Sequence, residues 1–380
     1  MAERNETGLV VFGEDWGGHP SSTQHIVRHL LATHRVLWVN SLGLRRPRLT
    51  AHDLARAWRK LAAAVGPRQQ HAPEFPVETL PEGLRVVSPL AVPWPGSDVA
   101  ERVNGHLLAR RLIPALQDFG ISRPILWASL PSAVSAVGRL GERAVVYYCG
   151  DDFGALSGVD HIPVLDMERR LVARADLVIA ASEDLAARFP AEKTHLLPHG
   201  ADLDLFSSPA PRAADLPDGQ VAGFYGSISD WLDVAMLATA ALDLPDWHFV
   251  FVGPVRTDVS RLAALPNVTF LGPRPHAALP SYVQHWSVSL IPFRDTPQIR
   301  ACNPLKLREY LASGTPVAAT RFPALAPYEG LVAAIAPGAA LSPAIRAAAT
   351  ASTPAQRRAA VAEEGWDRRA AAVEELLRRL

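Results

Sequence analysis

The sequence predicts an α/β protein made of two doubly wound halves. Short apolar runs alternate with helical patterns along the whole chain, which is typical of parallel sheets covered by helices. A stretch rich in Pro, Ala, Asp and Gly, residues 207–220, divides this alternation into two series. The 380 residues allow two domains that each bury a core. We therefore expect a first domain over residues 1–206, a second over 207–353, and a helical tail over 354–380 that packs back toward the first domain.

The apolar runs give the expected strands, because strands of parallel sheets are buried on both faces and read as nearly continuous apolar segments. In the first half we expect strands at Leu9–Gly13, Val36–Asn40, Leu84–Ser88, Pro124–Ala128, Ala144–Tyr148, Asp176–Ala181 and His195–Pro198. In the second half we expect them at Val221–Tyr225, His248–Val252, Val268–Leu271, Val288–Ile291, Val317–Ala319 and Leu331–Ala336. Helices are expected between them, for example at Ser22–Ala32 and Pro163–Ala173.

Composition and charge exclude several classes of protein. Lys and Arg (38) balance Asp and Glu (38), so no global charge indicates a nucleic-acid partner. The two cysteines, Cys149 and Cys302, are too few and too far apart for a disulfide framework or a metal site, which fits a reducing cytosol. The first residues, Met1–Thr7, are polar, and no apolar run reaches about 18 residues. We expect a cytoplasmic protein, attached at most to the inner surface of the membrane.

One stretch, residues 303–319, has the features of a phosphate-binding helix. Pro304 suits the first turn of a helix, and Asn303 can cap it. Lys306 follows in the same turn, where free N–H groups, the helix dipole and a point charge together attract phosphate. Glu309 lies three residues after Lys306 and shares its helical face. A capped core helix with a surface ion pair accounts equally well for this local pattern.

Two loops of the first half are further candidates. Gly17 and Gly18 lie between the first strand and the first helix, where glycine allows a ligand to approach the backbone closely. Because this loop is not G-x-G-x-x-G, a dinucleotide-dependent oxidoreductase is poorly supported, and a purely structural connection is an equal explanation. Asp151 and Asp152 follow the end of a predicted strand, where α/β sheets collect functional groups. Either carboxylate could act as a general base, or Asp151 could simply cap a turn.

Several segments together resemble the GT-B glycosyltransferases of the GT4-like group. The stretch NPLKLREYLASGTPVAAT is similar to the donor-site helix of that group, and HLLPHGADLDLF, GFYGSISDWLDVAML and NVTFLGPRPHAALPSYV are similar to other elements in the same order. The resemblance implies an α/β GT-B fold, in which two Rossmann-like doubly wound domains enclose an interdomain cleft. It also implies a glycosyltransferase (hexosyltransferase type) that moves a sugar from a nucleotide-diphosphate sugar to an acceptor hydroxyl on a glycan, a lipid-linked molecule or a small molecule.

The resemblance assigns roles to particular residues. It implies that Glu309 binds the ribose. The helix N-terminus, the Gly226 and Ser227 amides and Lys306 could stabilise the charge that develops on the diphosphate without a metal, so we expect no metal and no cofactor besides the donor substrate. The group's first donor-site glutamate is replaced by Ala301, and the arginine that usually follows the glycine at the start of its second domain is replaced by Ser227. The implied donor-site residues are Gly17, Gly18, Gly226, Ser227, Gly272, Arg274, Asn303, Pro304, Lys306 and Glu309.

A membrane-associated, inverting glucuronosyltransferase family of the same fold places its catalytic base after a similar strand end, which this sequence matches at Val146, Tyr147 and Asp151. By this resemblance Asp151 is the catalytic base, with Asp152 as the alternative. Two other functions stay open: a GT-B epimerase or hydrolase acting on nucleotide-sugars, and a non-catalytic nucleotide-sugar-binding protein of the same fold.

Residues 45–65 differ in character from the rest of the first half. Leu54, Trp58, Leu61 and Val65 recur at helical spacing, and between residues 45 and 68 there are seven Lys or Arg and one Asp. Basic amphipathic helices of this kind can lie on anionic bilayers. The alternative is that the apolar stripe packs on its own domain and the arginines are solvated.

Overall fold

The computed structural model describes residues 8–18, 21–44, 80–156 and 159–380, and the chain divides into two units. The first unit comprises residues up to Pro198 together with Arg369–Leu380, and the second comprises His199–Arg368. The division falls earlier than the expected boundary after residue 206 because Phe206 is fully buried in the core of the second unit. The tail is also shared between the units, since residues 354–368 belong to the second one.

The first unit contains a parallel sheet of the doubly wound type. Its strands occur in the order β3-β2-β1-β4-β5-β6-β7, and every pair is parallel. Their bounds are β1 Leu9–Phe12, β2 Val36–Val39, β3 Leu84–Val87, β4 Ile125–Ala128, β5 Ala144–Cys149, β6 Leu177–Ala180 and β7 Thr194–Leu196. The helices that connect them are α1 Ser22–Leu30, α2 Asp98–Asp118, α3 His161–Arg174 and α4 Glu183–Ala186, with 3₁₀ turns at Pro131–Ser135 and Ala191–Lys193.

The second unit repeats this architecture with a parallel sheet in the order β10-β9-β8-β11-β12-β13. Its strands are β8 Gln220–Tyr225, β9 Trp247–Val252, β10 Val268–Gly272, β11 Val288–Ile291, β12 Val317–Thr320 and β13 Ala333–Ile335. Its helices are α5 Leu203–Ser207, α6 Val234–Asp243, α7 Ser260–Ala263, α8 Pro280–Val283, α9 Pro297–Ala301, α10 Leu305–Ser313, α11 Ser342–Ala351 and α12 Pro354–Val361, with 3₁₀ turns at His276–Ala278 and Pro323–Tyr328. The last helix, α13, is Trp366–Leu377.

Burial on both faces explains why the strands could be predicted. All six residues of β5 are buried, as are all four of β4 and β6. By contrast, α2 was not among the helices singled out from the sequence. Val99, Val103 and Leu107 are exposed on this helix and Pro114 lies inside it, so the apolar residues do not mark one buried face.

None of the helices formed by the described residues has both the length and the hydropathy of a membrane span. The basic segment at residues 45–65 lies outside the described residues, so membrane contact through this segment stays a prediction.

Loss of the helix cap at Thr353 is expected to lower the stability of the second unit. Thr353 Oγ1 accepts a hydrogen bond from the Gln356 amide (3.2 Å), and the Gln356 side chain accepts one from the Thr353 amide (2.8 Å), which together form a capping box at the start of α12. Thr353→Ala should therefore lower the free energy of unfolding by about 1 kcal/mol in urea denaturation. Thr350→Ala, at an exposed position in α11, is the control and should change it little. Equal effects of the two substitutions would contradict the capping argument.

Candidate functional site

Three glycines, at the carboxyl ends of β8, β9 and β10, allow the backbones of these strand ends to approach each other closely. The Gly226 amide donates to Val252 O (2.9 Å), and the Gly253 amide donates to Gly272 O (2.9 Å). All three glycines have positive φ (120°, 147° and 71° in chain order). A Cβ on Gly253 would lie 2.0 Å from the carbonyl oxygen of Gly226, so only glycine allows this approach. The result is a compact edge at which Gly226 leads directly into the loop that contains Ser227.

Lys306 extends along this edge from the first turn of α10. Its Nζ lies 5.4 Å from the ring centroid of Phe224 and 5.7 Å from that of Phe293, so the side chain is packed against two aromatic faces. The position of a Cβ on Gly226 would be 3.4 Å from Nζ, which places the ammonium next to the Gly226 backbone. Burial lowers the pKa of Lys306, while the charges of Cys302 and Glu309 act in the opposite direction.

No hydrogen bond or ion pair holds the Lys306 ammonium in the part of the chain that the structure describes. Partial burial of a cation without an anionic partner costs free energy unless a ligand supplies a negative charge beside it. The first turn of α10 also presents backbone N–H groups that lack partners within the helix. These features make Lys306 and the start of α10 suited to bind an anion such as a diphosphate.

The cap expected at Asn303 is wrong. Pro304 occupies the N-cap position of α10 and the helix begins at Leu305, with no side-chain hydrogen bond at the cap. Asn303 is buried, and its Oδ1 accepts a hydrogen bond from Arg308 instead. Arg308 is buried as well and pairs with Glu364, so it draws Asn303 toward the interior. The helix ends at Gly314, which adopts a left-handed conformation (φ 79°) that suits glycine.

Glu309 is buried and its carboxylate is held from two sides. Tyr225 OH donates a hydrogen bond to Oε2, and His276 Nε2 lies 3.0 Å from Oε1. The His276 ring packs edge-on against Phe206, with the ring centroids 5.5 Å apart. These two contacts engage both oxygens and fix the orientation of the Glu309 carboxylate. The sequence analysis did not identify Tyr225 or His276, because they lie far from Glu309 in the chain.

The His276–Glu309 pair predicts a pH-dependent stability. Burial lowers the pKa of His276, but the hydrogen bond to Glu309 and the charges of Glu309 and Asp202 outweigh this effect, so the pKa is raised overall. The stabilisation is therefore fully present below the ordinary histidine pKa of about 6.5 and is lost as the pH rises through the raised value. In urea denaturation across this window, we expect the fall in unfolding free energy to be smaller in His276→Gln than in the wild type. His248→Gln is the control, and an unchanged pH dependence in His276→Gln would contradict the assignment.

The other predicted residues of the second unit lie at the same edge. Ser227 Oγ lies 2.8 Å from Ser229 Oγ, so two hydroxyl groups follow Gly226. Gly272 ends β10 and has open space at the position of a Cβ. Arg274 is engaged by its own unit: its Nη2 lies 2.8 Å from Asp215 Oδ2, and its Nε donates to Tyr282 OH (3.0 Å). Arg274 thus supports the loop by an ion pair that the sequence analysis did not anticipate.

In the first unit, the loop after β1 is held by polar contacts. Gly17 has a positive φ (78°), and the Gly18 amide donates to Asp15 O (3.1 Å). Ser21 caps α1 by accepting a hydrogen bond from the amide of the residue three positions later (3.3 Å). Asn40, at the end of β2, accepts a hydrogen bond from the Trp16 amide (3.0 Å). Asn40 therefore supports the loop, which leaves the Gly17–Gly18 backbone exposed at the carboxyl edge of the sheet.

The two candidate carboxylates after β5 have different surroundings. Asp152 is buried and committed, because its Oδ1 lies 2.7 Å from Arg188 Nη1 and accepts a hydrogen bond from the Gly154 amide (2.9 Å). Asp151 is exposed. Even so, the surrounding protein atoms displace water from its carboxylate, and this desolvation is the main reason why its pKa is raised to about 6. Repulsion from the charges of Glu14 and Asp152 contributes a smaller increase. Of the two, Asp151 has the properties of a general base.

Within the described residues, no group of three or more His, Cys, Asp or Glu side chains is placed to hold a metal ion. The expected metal-independent chemistry stays a prediction.

Residues 219–350, which form most of the second unit, match the family model of the glycosyl transferases group 1. The chain is also 34% identical over 223 residues to TuaH of Bacillus subtilis (strain 168), whose name describes a teichuronic acid biosynthesis glycosyltransferase. This match covers 53% of the chain and 56% of TuaH, so it spans about half the length of that relative.

Solved structures with similar folds cover nearly the whole chain. Anabaena Alr3699/HepE in complex with UDP has a TM-score of 0.65 and 16% identity, and the match covers 98% of this chain and 100% of that one. Sucrose-phosphate synthase from Thermosynechococcus elongatus has a TM-score of 0.68 and 18% identity, with 98% of both chains covered. At these identities the likeness concerns the fold, and it confirms the predicted α/β GT-B fold with two Rossmann-like sheets.

Proposed function

We propose that this chain is a GT-B glycosyltransferase of the GT4-like group, which transfers a sugar from a nucleotide-diphosphate sugar to an acceptor hydroxyl. The match of residues 219–350 to the glycosyl transferases group 1 and the similarity to TuaH support this proposal. The observation that carries this proposal is the Lys306 ammonium, which lies beside Gly226 and has no ion-pair partner among the described residues. Anabaena Alr3699/HepE, which has a similar fold, was solved in complex with UDP and with UDP-glucose, and this supports a UDP-sugar as the first donor to test. The name of TuaH supports an acceptor that belongs to a bacterial surface polysaccharide.

The chemistry required of the site follows from the bond that breaks. As the bond between the sugar C1 and the diphosphate oxygen breaks, its electron pair stays on the diphosphate and negative charge develops there. Lys306, the Ser227 hydroxyl and the free N–H groups at the start of α10 are positioned at one edge to stabilise that charge. This role needs no metal ion, so the proposal includes activity that survives a chelator.

Asp151 is the proposed base for the acceptor. The acceptor oxygen forms the new bond to C1, and its proton passes to the Asp151 carboxylate. A pKa near 6 leaves Asp151 mostly ionised at neutral pH and still basic enough to accept a proton. Asp152 suits this role less well because Arg188 and the Gly154 amide occupy one of its oxygens.

The proposal also places the protein in the cytoplasm, with residues 45–65 touching the inner surface of the membrane. The basic, amphipathic pattern of that segment supports such contact.

Turnover of UDP-sugars with and without acceptor tests the proposal. Thermal-shift screening selects the donor first, since a ligand at 100 times its Kd adds about 2.7 kcal/mol of stability. UDP release that depends on acceptors extracted from bacterial envelopes is the result expected of a transferase. Release of free or epimerised sugar from the donor alone would instead indicate a hydrolase or an epimerase. Binding without any turnover would indicate a non-catalytic binding protein.

A further inference from the structure

The first unit contains a cavity at the end of its sheet opposite to Asp151. Two adjoining hollows of about 330 and 460 Å³ share Val137, Gly138 and Arg174 in their walls. They lie where the chain enters β5 and β6, at the amino ends of these strands. The six residues of β5 separate them from the Asp151 edge, which at about 3.3 Å per residue is roughly 20 Å. The cavity is therefore distinct from the candidate site described above.

Arginine side chains dominate the charge of this cavity. Its four lining arginines are Arg102, Arg139, Arg143 and Arg174. Among the described residues, none of the four forms an ion pair with a carboxylate. Arg174 donates only to a backbone oxygen, that of Val137 (2.8 Å), and the Nε of Arg143 is buried without a hydrogen-bond partner. Arg102, Arg139 and Arg174 are exposed and Arg143 is half-buried, so a ligand from solution can reach the guanidinium groups that have no carboxylate partner among the described residues.

The acidic residues that line the cavity already accept hydrogen bonds from other groups of the chain. Both oxygens of Glu101 accept hydrogen bonds from Arg170, which does not line the cavity, at 2.7 Å each. Glu142 accepts from the backbone amides of residues 138 and 140, and Asp176 accepts from the Val145 amide (2.8 Å). Counting the lining residues alone, four positive charges face three negative ones, and each of the three carboxylates accepts at least one hydrogen bond from the chain.

Two glycines make room for two of these arginines. A Cβ on Gly105, inside helix α2, would lie 2.5 Å from Arg139 Nε and 2.7 Å from Ser135 O. A Cβ on Gly138, whose φ is 78°, would lie 2.7 Å from Arg174 Nη2. Glycine inside a helix costs about 1 kcal/mol relative to alanine, so the chain tolerates a local loss of stability where Arg139 is held against α2.

We propose that this cavity is a second ligand site of the protein, which binds a small phosphate-bearing anion. Guanidinium forks match the oxygens of phosphate and are the preferred partners of such groups. The volumes fall in the range of small-molecule sites, about 300–1,000 Å³. The proposal does not depend on the glycosyltransferase assignment, because no residue of the donor edge takes part.

Calorimetric titration with inorganic pyrophosphate tests this site. The full chain carrying Lys306→Ala is the reference protein, because that substitution removes the cation expected to bind pyrophosphate at the donor edge. We expect the reference protein to bind pyrophosphate, and Arg139→Gln or Arg174→Gln added to it to weaken binding about 10-fold or more. Arg110→Gln, an exposed arginine on α2 outside the cavity, is the matched control and should leave the affinity unchanged.

Three outcomes would overturn the proposal: no binding by the reference protein at millimolar pyrophosphate, unchanged affinity in a folded Arg139→Gln variant, or an equal loss in the Arg110→Gln control. The last would indicate general attraction by surface charge, which salt screens. Because Arg174 also donates a hydrogen bond to Val137 O, Arg174→Gln is expected to be less stable than the reference protein. The melting temperature of each variant, together with Arg139→Gln, separates a loss of ligand binding from a loss of folding.

Discussion

Lys306→Ala is expected to weaken UDP binding by about 10- to 150-fold, because a charge-assisted hydrogen bond contributes about 1.5–3 kcal/mol. Lys306 has no other anionic partner among the described residues, so its charge is available to the diphosphate. Calorimetry with UDP measures the loss. Uridine, which lacks the diphosphate, should bind both proteins equally.

A second substitution separates charge from packing at this position. Lys306→Met keeps an apolar stem against Phe224 and Phe293 but removes the ammonium. If charge is the cause, Lys306→Met and Lys306→Ala lose UDP affinity to a similar extent. Unchanged affinity in either folded variant would exclude Lys306 from the donor site.

Asp151→Asn is expected to lower kcat by at least about 100-fold while leaving donor affinity intact, because a positioned base contributes about 10²–10⁴-fold in rate. Asparagine keeps the shape of the side chain and cannot accept the proton. In the wild type, kcat should fall as the pH drops through the pKa of about 6, since the base is then protonated. In Asp151→Asn the residual activity should lose this acidic limb.

Asp152→Asn is the comparison for this experiment. It removes the charge that pairs with Arg188 at 2.7 Å, so we expect lower stability rather than a specific loss of kcat. A full loss of kcat in a stable Asp152→Asn variant, with near-normal turnover in Asp151→Asn, would reverse the roles of the two residues.

The fold could be predicted because its main signal is local. Helices cover both faces of a parallel sheet, so a strand such as β5 is buried at every position. Such a strand can be recognised in the sequence as a continuous run of apolar and aromatic residues. The place of Lys306 in the first turn of a helix was also local information, carried by Pro304 two residues before it. Helix α2 lacked such a mark because part of its apolar surface stays exposed.

The partners within the site could not be predicted, since they depend on residues distant in sequence. The orientation of Glu309 is fixed by Tyr225 and His276, and the cap expected at Asn303 is lost to the buried guanidinium of Arg308. The difference between Asp151 and Asp152 arises partly from Arg188, which pairs with Asp152 but follows the end of helix α4, 36 residues later in the chain. Electrostatic roles of this kind follow from packing and not from spacing along the chain.

The first unit is assembled from two distant parts of the chain, which restricts how it can be produced in isolation. Residues 369–380 supply the buried side chains of Ala370, Val373 and Leu377, and Glu374 Oε2 lies 2.8 Å from His34 Nε2. A protein that ends at Pro198 would lack all of these groups. A peptide spanning residues 366–380, added in trans or joined through a flexible linker, would be needed to complete the domain for crystallisation or NMR.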